Sequence, residues 1–295
     1  MTRSEHPPKR KPTVSQRTTH KKKRTKSSKR GWRTAVSSDK YELYELSVQE
    51  PEAESDLVDQ VWKELRGRTP HHIREDFCGT AAVCMDWVKR RRNNTAVGVD
   101  LDATVLQWAE ARSRQRLKTS QINRMKLVRG NVLTARTKPV DSVLAMNFSY
   151  FIFKTRPELR RYFQAARKAL VKDGLLLLDA YGGSESFLEI EEDRNFDGFT
   201  YIWDQSLYNP ITGQVINHIH FEFPDGSKIR KAFSYDWRIW TLPELQEVLR
   251  EAGFRRVSVY WEGTDKKTGE GDGNWTISTR GEACQGWVAY LAAEK

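Results

Sequence analysis

The segment from residue 73 to residue 102 constrains the fold more than any other part of the chain. It reads as a short strand, a tight turn through Cys78-Gly79-Thr80, a helix, and a second strand that closes at Asp100, 21 positions after Gly79. A turn with little side-chain bulk lets a ligand approach the backbone, and a carboxylate at the tip of the next strand can bind both hydroxyls of a ribose. The segment therefore predicts a nucleoside site.

Extended and helical patterns alternate along most of the remaining chain. We predict further strands over residues 96–99, 125–128, 140–146 and 175–178, separated by helices such as the amphipathic segment 157–172. Two closing strands, at 257–260 and 287–291, flank a glycine-rich loop. Alternation at this spacing predicts an α/β fold, doubly wound around a mostly parallel seven-stranded sheet.

Residues 199–240 depart from this alternation of strands and helices. Phe199, Tyr201 and Trp203 alternate with polar residues, and turn sequences follow at intervals. The pattern predicts an inserted antiparallel β meander of about three strands. His218 and His220 lie two apart and so share one face of this sheet. A metal site would need a third ligand, and none stands at diagnostic spacing, so no metal is expected.

Charge divides the chain into a basic tail and a near-neutral body. Residues 1–33 carry 13 Lys and Arg against the single acid Glu5, which leaves 37 basic and 38 acidic residues in the rest. With few aliphatic residues, the tail cannot bury enough apolar surface to offset its ordering entropy. We therefore predict a disordered basic tail over 1–36 and one domain over 37–295 that includes the meander.

Other classes of protein are disfavoured by composition. No apolar run is long enough for a transmembrane segment, and the beginning of the sequence lacks the apolar core of a signal peptide. Three cysteines form neither a metal-ligand spacing nor a disulfide framework. A cytoplasmic, reduced protein is the expectation.

The Cys-Gly-Thr turn resembles the first motif of the class I S-adenosylmethionine (SAM)-dependent methyltransferases. The match places Glu75 at the acidic position of that motif and Phe77, Gly79 and Ala81 at its three glycines, although Asp76 could take the acidic role instead. Because Phe77 carries a side chain, we expect the turn to keep a negative φ there. The order of the later segments also matches the family, over about residues 70–182 and 241–295.

This resemblance implies S-adenosyl-L-methionine as cofactor and a set of residues that bind it. The set is Arg74, Glu75, Phe77, Cys78, Gly79, Thr80, Asp100, Leu101, Asn131, Val132 and Asn147. Asp100 would bind the ribose and Leu101 the adenine, while Asp102 caps the following helix. Three positions stay open. Arg74 either reaches the cofactor carboxylate or pairs with Glu75 or Asp76, Asn131 either contacts adenine or forms an ordinary turn, and Asn147 either lines the site or packs at a strand end.

Methyl transfer does not by itself require a base, so Tyr150, Asp179 and His218 are only candidates for a catalytic role. In several small-molecule methyltransferases that the chain resembles, strands inserted at this point form a lid over the pocket. By this analogy we expect a small-molecule substrate under the meander, where Trp203, Trp237 and Trp240 either form an aromatic cavity or cover the sheet. One alternative is an RNA or ribosome-associated methyltransferase whose residues 1–33 contact nucleic acid or another anionic surface. Another is a SAM-binding or structural protein without activity.

Overall fold

The computed structural model describes residues 33–265 and 267–295. Its helices are α1 (Lys40–Ser47), α2 (Pro51–Arg66), α3 (Ala82–Arg90), α4 (Ala103–Arg116), α5 (Thr119–Ile122), α6 (Arg156–Ala169) and α7 (Leu242–Glu251). Its strands are β1 (His72–Asp76), β2 (Thr95–Asp100), β3 (Met125–Arg129), β4 (Val140–Ala145), β5 (Leu170–Gly182), β6 (Ile190–Phe196), β7 (Phe199–Asn209), β8 (Gln214–Glu222), β9 (Lys228–Arg238), β10 (Arg256–Thr264), β11 (Gly271–Ile277) and β12 (Trp287–Glu294).

The large sheet has eight strands in the order β11-β10-β12-β5-β4-β1-β2-β3. Strands β1 to β5 run parallel, whereas β12, β10 and β11 pair antiparallel. Chain order reverses between β1 and β4, which is where open α/β sheets place a ligand, beyond the carboxyl ends of the strands. The predicted α/β class is confirmed. The glycine-rich loop, however, also contains an eighth strand, β11.

Two hydrophobic cores hold helices against the opposite faces of this sheet. One core contains Leu159 and Phe163 of α6 and Leu245 of α7, and the other contains Trp62 of α2 and Trp87 of α3. All five side chains are fully buried. The capping box at Thr241 starts α7, as its sequence predicts, because the hydroxyl accepts from the amide of Glu244, whose carboxylate accepts in return from the amide of Thr241.

A second, antiparallel sheet lies between β5 and α7 in the chain, in the order β6-β7-β8-β9. It confirms an inserted meander, but β6 begins at Ile190, so the sheet has four strands rather than three. Helix α1 packs on it through Leu43, which shares a hydrophobic core with Phe199 and Phe221. Residues 33–36 also contact it, since the Ala35 amide donates to Ser227 Oγ at 2.9 Å. The rest of the predicted tail lies outside the described residues.

Candidate cofactor and substrate site

The turn after β1 alternates in backbone handedness. Phe77, Gly79 and Ala81 have φ values of 57°, 50° and 56°. The prediction of a negative φ at Phe77 is therefore wrong, and all three glycine positions of the family motif adopt the left-handed conformation that glycine favours. A residue with a Cβ is strained there by about 1 kcal/mol or more. Packing offsets the strain, because the Phe77 ring lies against Tyr162 and Phe153, with centroids 5.5 Å and 6.2 Å away.

Close packing beneath the turn fixes its position. The Cys78 amide donates to the Val99 carbonyl at 3.1 Å. Gly98 leaves room for the Cys78 side chain, since a Cβ on Gly98 would lie 2.8 Å from Cys78 Sγ. A Cβ on Gly79, by contrast, would meet no atom within 4 Å. The turn is thus held from below and presents an open backbone surface at Gly79, as a ligand that approaches the backbone requires.

The Asp100 carboxylate lies at the end of β2 and links it to this turn. One oxygen accepts from the Gly79 amide at 2.8 Å and the other from the Asp102 amide at 2.9 Å. Asp102 itself caps α4, accepting from the Thr104 amide at 2.7 Å, so Asp100 is not needed as the cap. The Leu101 side chain is 61% exposed beside it. Asp100 lines the cleft at the turn, and Leu101 is not among the residues that line it.

Glu75 is a buried acid beside the same cleft. Its carboxylate accepts from the Cys84 amide of α3 at 3.1 Å. Burial, reinforced by the nearby charge of Glu54, raises the pKa of Glu75 to about 8. Glu75 is therefore mostly protonated at neutral pH. Thr80 lies in the turn, and its hydroxyl donates to Gln49 Oε1 at 2.6 Å. This hydrogen bond connects the segment after α1 to the turn.

Arg74 and Asp76 form a buried pair on the other side of β1. Arg74 Nε donates to Asp76 Oδ1 at 2.6 Å, and its terminal nitrogen donates to the Val132 carbonyl at 3.0 Å. Tyr162 donates to the second oxygen of Asp76 at 3.1 Å. Burial raises the pKa of Asp76 to about 6 in spite of the nearby guanidinium. Of the two roles left open for Arg74, this geometry favours the ion pair with Asp76.

Asn131 and Val132 follow β3. The Asn131 side-chain oxygen accepts from the Leu133 amide at 2.9 Å, an arrangement that favours the ordinary turn over a free acceptor for adenine. Val132 is buried, and its carbonyl accepts from Arg74. Neither residue lines the cleft, and Val132 is connected to it only through Arg74 and Asp76.

The segment after β4 is shaped by Asp179. Asn147 and Phe148 both have a φ of 58°, and their amides donate to the two Asp179 oxygens at 2.9 Å each. Tyr150 is fully buried and donates to the Asp179 carbonyl at 2.7 Å, and burial raises its pKa well above its ordinary value. Tyr150 and Asp179 thus position the segment, and neither arrangement is that of a base facing a substrate.

An aromatic pocket lies between the second sheet, α1 and the segment after β4. Its cavity volume is about 60 Å³, and seven of its eleven lining residues are aromatic. These seven are Tyr44, Phe148, Tyr181, Tyr201, Trp203, Tyr235 and Trp237. Of the three tryptophans named from the sequence, Trp203 and Trp237 line the pocket, whereas Trp240 is buried with its N–H on the Phe153 carbonyl.

The aromatic pocket adjoins the cleft at the turn. This cleft has a cavity volume of about 240 Å³ and is lined by Glu75, Asp76, residues 77–80 and Asp100, among others. Tyr44, Asn147, Tyr235 and Trp237 line both. His218 does not, because Asn217 and Ile219 of β8 face inward and His218 faces the other side, where its Nδ1 lies 2.8 Å from Ser234 Oγ. His218 is therefore not placed to act on a ligand in the pocket.

Metal and membrane features are absent from the part of the chain that the structure describes. No group of three or more His, Cys, Asp or Glu side chains there could hold a metal ion. None of the helices in the same residues is long and apolar enough to cross a membrane. His218 and His220, the nearest approach to a metal pair, are engaged with Ser234 and Asp204.

Comparison with known proteins relates the central part of the chain to a family. Residues 76–178 match the family model described as "Methyltransferase domain". No curated protein matches the chain. This part of the chain is therefore similar to a methyltransferase domain, and the match covers the turn, Asp100 and the segment after β4.

Solved structures share the fold. One is a SAM-dependent methyltransferase from Clostridium acetobutylicum, with a TM-score of 0.62, 15% identity, and coverage of 86% of this chain and 96% of that one. Another is an amino pentose methyltransferase from Micromonospora echinaspora, with a TM-score of 0.61, 18% identity, and coverage of 88% of this chain and 98% of that one. A third is a sugar N-methyltransferase from a Streptoalloteichus species, with a TM-score of 0.59, 17% identity, and coverage of 92% of this chain and 99% of that one. At these identities the likeness shows the fold alone.

Several residues of the site carry no signal in the sequence that would identify them. Tyr44 and Gln49 lie before β1, in a segment that carries no family motif. Tyr181 and Tyr235 line the aromatic pocket but stand in strands where a tyrosine is an ordinary residue. The one available signal was the alternation of aromatic residues in 199–203, which indicates a buried face without indicating what that face covers.

Proposed function

We propose that the protein binds SAM in the cleft at the turn and methylates a small molecule held in the aromatic pocket. The observation that supports this most directly is that the cleft and the pocket share four lining residues, among them Asn147 and Trp237. A methyl donor in the cleft would thus face a substrate in a mostly apolar pocket. Small-molecule sites are typically concave and mostly apolar.

The residues around the cleft fit the cofactor. Asp100 offers carboxylate oxygens for the ribose hydroxyls, and Leu101 offers an exposed apolar surface for adenine. Gly79 has open space where a Cβ would stand, so the cofactor can approach its backbone. When bound, SAM supplies an activated methyl group that a nucleophile displaces in line. The protein's part is to align the two partners and to exclude water.

Binding of the cofactor can be tested with Asp100→Ala. We expect calorimetry to show SAM binding by the wild type and at least tenfold weaker binding by the variant, because about two charge-assisted hydrogen bonds are lost. Asp102→Ala is the matched control: it removes the cap of α4 without removing the ribose ligand. Absence of SAM binding by the wild type would contradict the proposal. A labelled-methyl transfer assay with cell extract then separates an enzyme from a protein that only binds SAM.

A second candidate function is methylation of RNA, and one feature of the surface favours it. An open groove between the loop after β3 and α6 is lined by the exposed cations Arg136, Arg161 and Lys168 and by no acidic residue. Together with the 13 cations of residues 1–33, it could bind a phosphate backbone in a salt-dependent way. Deleting residues 1–32 should greatly reduce low-salt activity of an RNA enzyme and leave that of a small-molecule enzyme unchanged.

A further inference from the structure

The aromatic pocket carries no charge. None of the residues that line it is Lys, Arg, His, Asp or Glu, and its polar atoms belong to tyrosine hydroxyls, indole nitrogens and Asn147. A methyl acceptor that binds as an anion, such as a carboxylate or a phenolate, would have no cationic partner there. The faces of aromatic rings carry partial negative charge and disfavour an anion further. The pocket therefore disfavours acids as substrates.

The same rings favour a cation. Trp237 stands at the centre of the group, with the ring centroid of Tyr235 4.4 Å away and those of Trp203 and Phe148 each 6.4 Å away. Phe148 in turn lies 4.7 Å from Tyr181. At these distances the rings pack against one another, and the space that could receive an ammonium group is the pocket that all of them line. A pocket lined by several aromatic rings is the type of site, an aromatic cage, that recognises quaternary ammonium groups. Trp237 also lines the cleft, so this cage begins where the methyl group would arrive.

We propose that the substrate is a tertiary amine and that the product is a quaternary ammonium compound bound by this aromatic cage. The inference rests on the proposed function of the site. The nitrogen lone pair forms the new N–CH3 bond, the S–CH3 bond breaks with its electron pair going to sulfur, and the positive charge passes from sulfur to nitrogen. A tertiary amine is mostly protonated at neutral pH, like a lysine side chain, so it must first lose that proton to solvent. The transfer step itself releases no proton and needs no base beside the nitrogen, in agreement with the positions of Tyr150 and Asp179.

Binding of an ammonium group can be measured without turnover. Choline and 3,3-dimethyl-1-butanol have the same shape and differ only in the charge of their central atom. We expect the full chain, titrated by tryptophan fluorescence with and without S-adenosylhomocysteine, to bind choline about tenfold more tightly than the uncharged isostere. Equal affinities, or tighter binding of the isostere, would overturn the inference.

Two variants locate the effect. Trp203→Leu removes one aromatic face while keeping an apolar side chain, and we expect it to reduce the preference for choline several-fold with little change for the isostere. Trp275→Leu is the control. Trp275 of β11 is also half-buried, but it packs on Tyr290 of β12 and does not line the pocket. An unchanged preference in Trp203→Leu would count against the cage.

Turnover supplies the last arm of the test. With labelled SAM, we expect dimethylamino compounds to accept methyl groups and hydroxyl compounds of the same skeleton not to do so. Methylation of the hydroxyl series alone would overturn the amine inference and leave the proposed methyltransferase function intact. Failure of the wild type to bind SAM would overturn the proposed function, even if choline still bound.

Discussion

The buried acid Glu75 makes the stability of the protein depend on pH in a way that can be calculated. Its pKa is raised from 4.5 to about 8 because its carboxyl is buried beside Glu54. Between these two values the folded state keeps a proton that the unfolded state releases, so the free energy of unfolding falls as the pH rises. At about 1.4 kcal/mol per pKa unit, the loss from pH 4.5 to pH 8 amounts to about 5 kcal/mol.

Glu75→Gln removes this dependence without removing the local hydrogen bond. The glutamine oxygen can still accept from the Cys84 amide, as Glu75 does at 3.1 Å, and its amide group does not titrate. We therefore expect the variant to gain stability relative to the wild type as the pH rises, by up to about 1.4 kcal/mol per pH unit. Contributions from other groups, such as Asp76, cancel in this difference.

Urea unfolding followed by tryptophan fluorescence at intervals from pH 5 to pH 8 would measure the effect. Glu110→Gln is the matched control, because Glu110 lies on α4 with its side chain 53% exposed. Its stability curve should run parallel to that of the wild type. If the curve of Glu75→Gln also ran parallel to the wild type, Glu75 would not hold a proton in the folded protein and the reasoning would be refuted.

Three further substitutions separate structural from catalytic roles. Tyr150→Phe loses one hydrogen bond, so its free energy of unfolding in urea should fall by about 1 kcal/mol while its rate of methyl transfer stays within about twofold of the wild type. A fall in that rate of more than a hundredfold would indicate that Tyr150 acts as a base. Asp179→Asn should cost about 2 kcal/mol or more, because the amides of Asn147 and Phe148 lose a shared charged acceptor; unchanged unfolding would contradict this role. Phe77→Gly relieves about 1 kcal/mol of strain but loses the ring packing, so a net loss of about 2 kcal/mol is expected, and a gain in stability would show that strain prevails.

The overall fold could be predicted because its signals are local. The apolar residues locate β2 to β5 and α6, and the capping residues Asp102 and Thr241 start α4 and α7 where they were expected. The polar strand β1 is located by the turn motif that follows it. The strand β11 was missed because its sequence is rich in glycine and polar residues, and only the pairing with β10 defines it. Edge strands of this kind depend on a partner more than on their own propensity.

The site could be predicted only in part because its geometry depends on contacts distant in sequence. Asp100 and Gly79 lie together as their spacing indicated. The conformation of Phe77 could not be predicted, since the rings that stabilise it belong to Phe153 and Tyr162, more than seventy residues away. For His218, alternation along β8 establishes which residues share a face, but only the packing of the second sheet on α1 determines which face is inward.

The left-handed turn at 77–81 also bears on how the cofactor binds. Three glycines in a free loop would sample many conformations, and a ligand would have to select one of them. Here two of the three positions are Phe77 and Ala81, and the Asp100 carboxylate already holds the Gly79 amide. The loop is thus shaped before any ligand arrives, so less conformational entropy is lost on binding. At each turnover the used cofactor would then be replaced by SAM while the loop at 77–81 keeps its conformation.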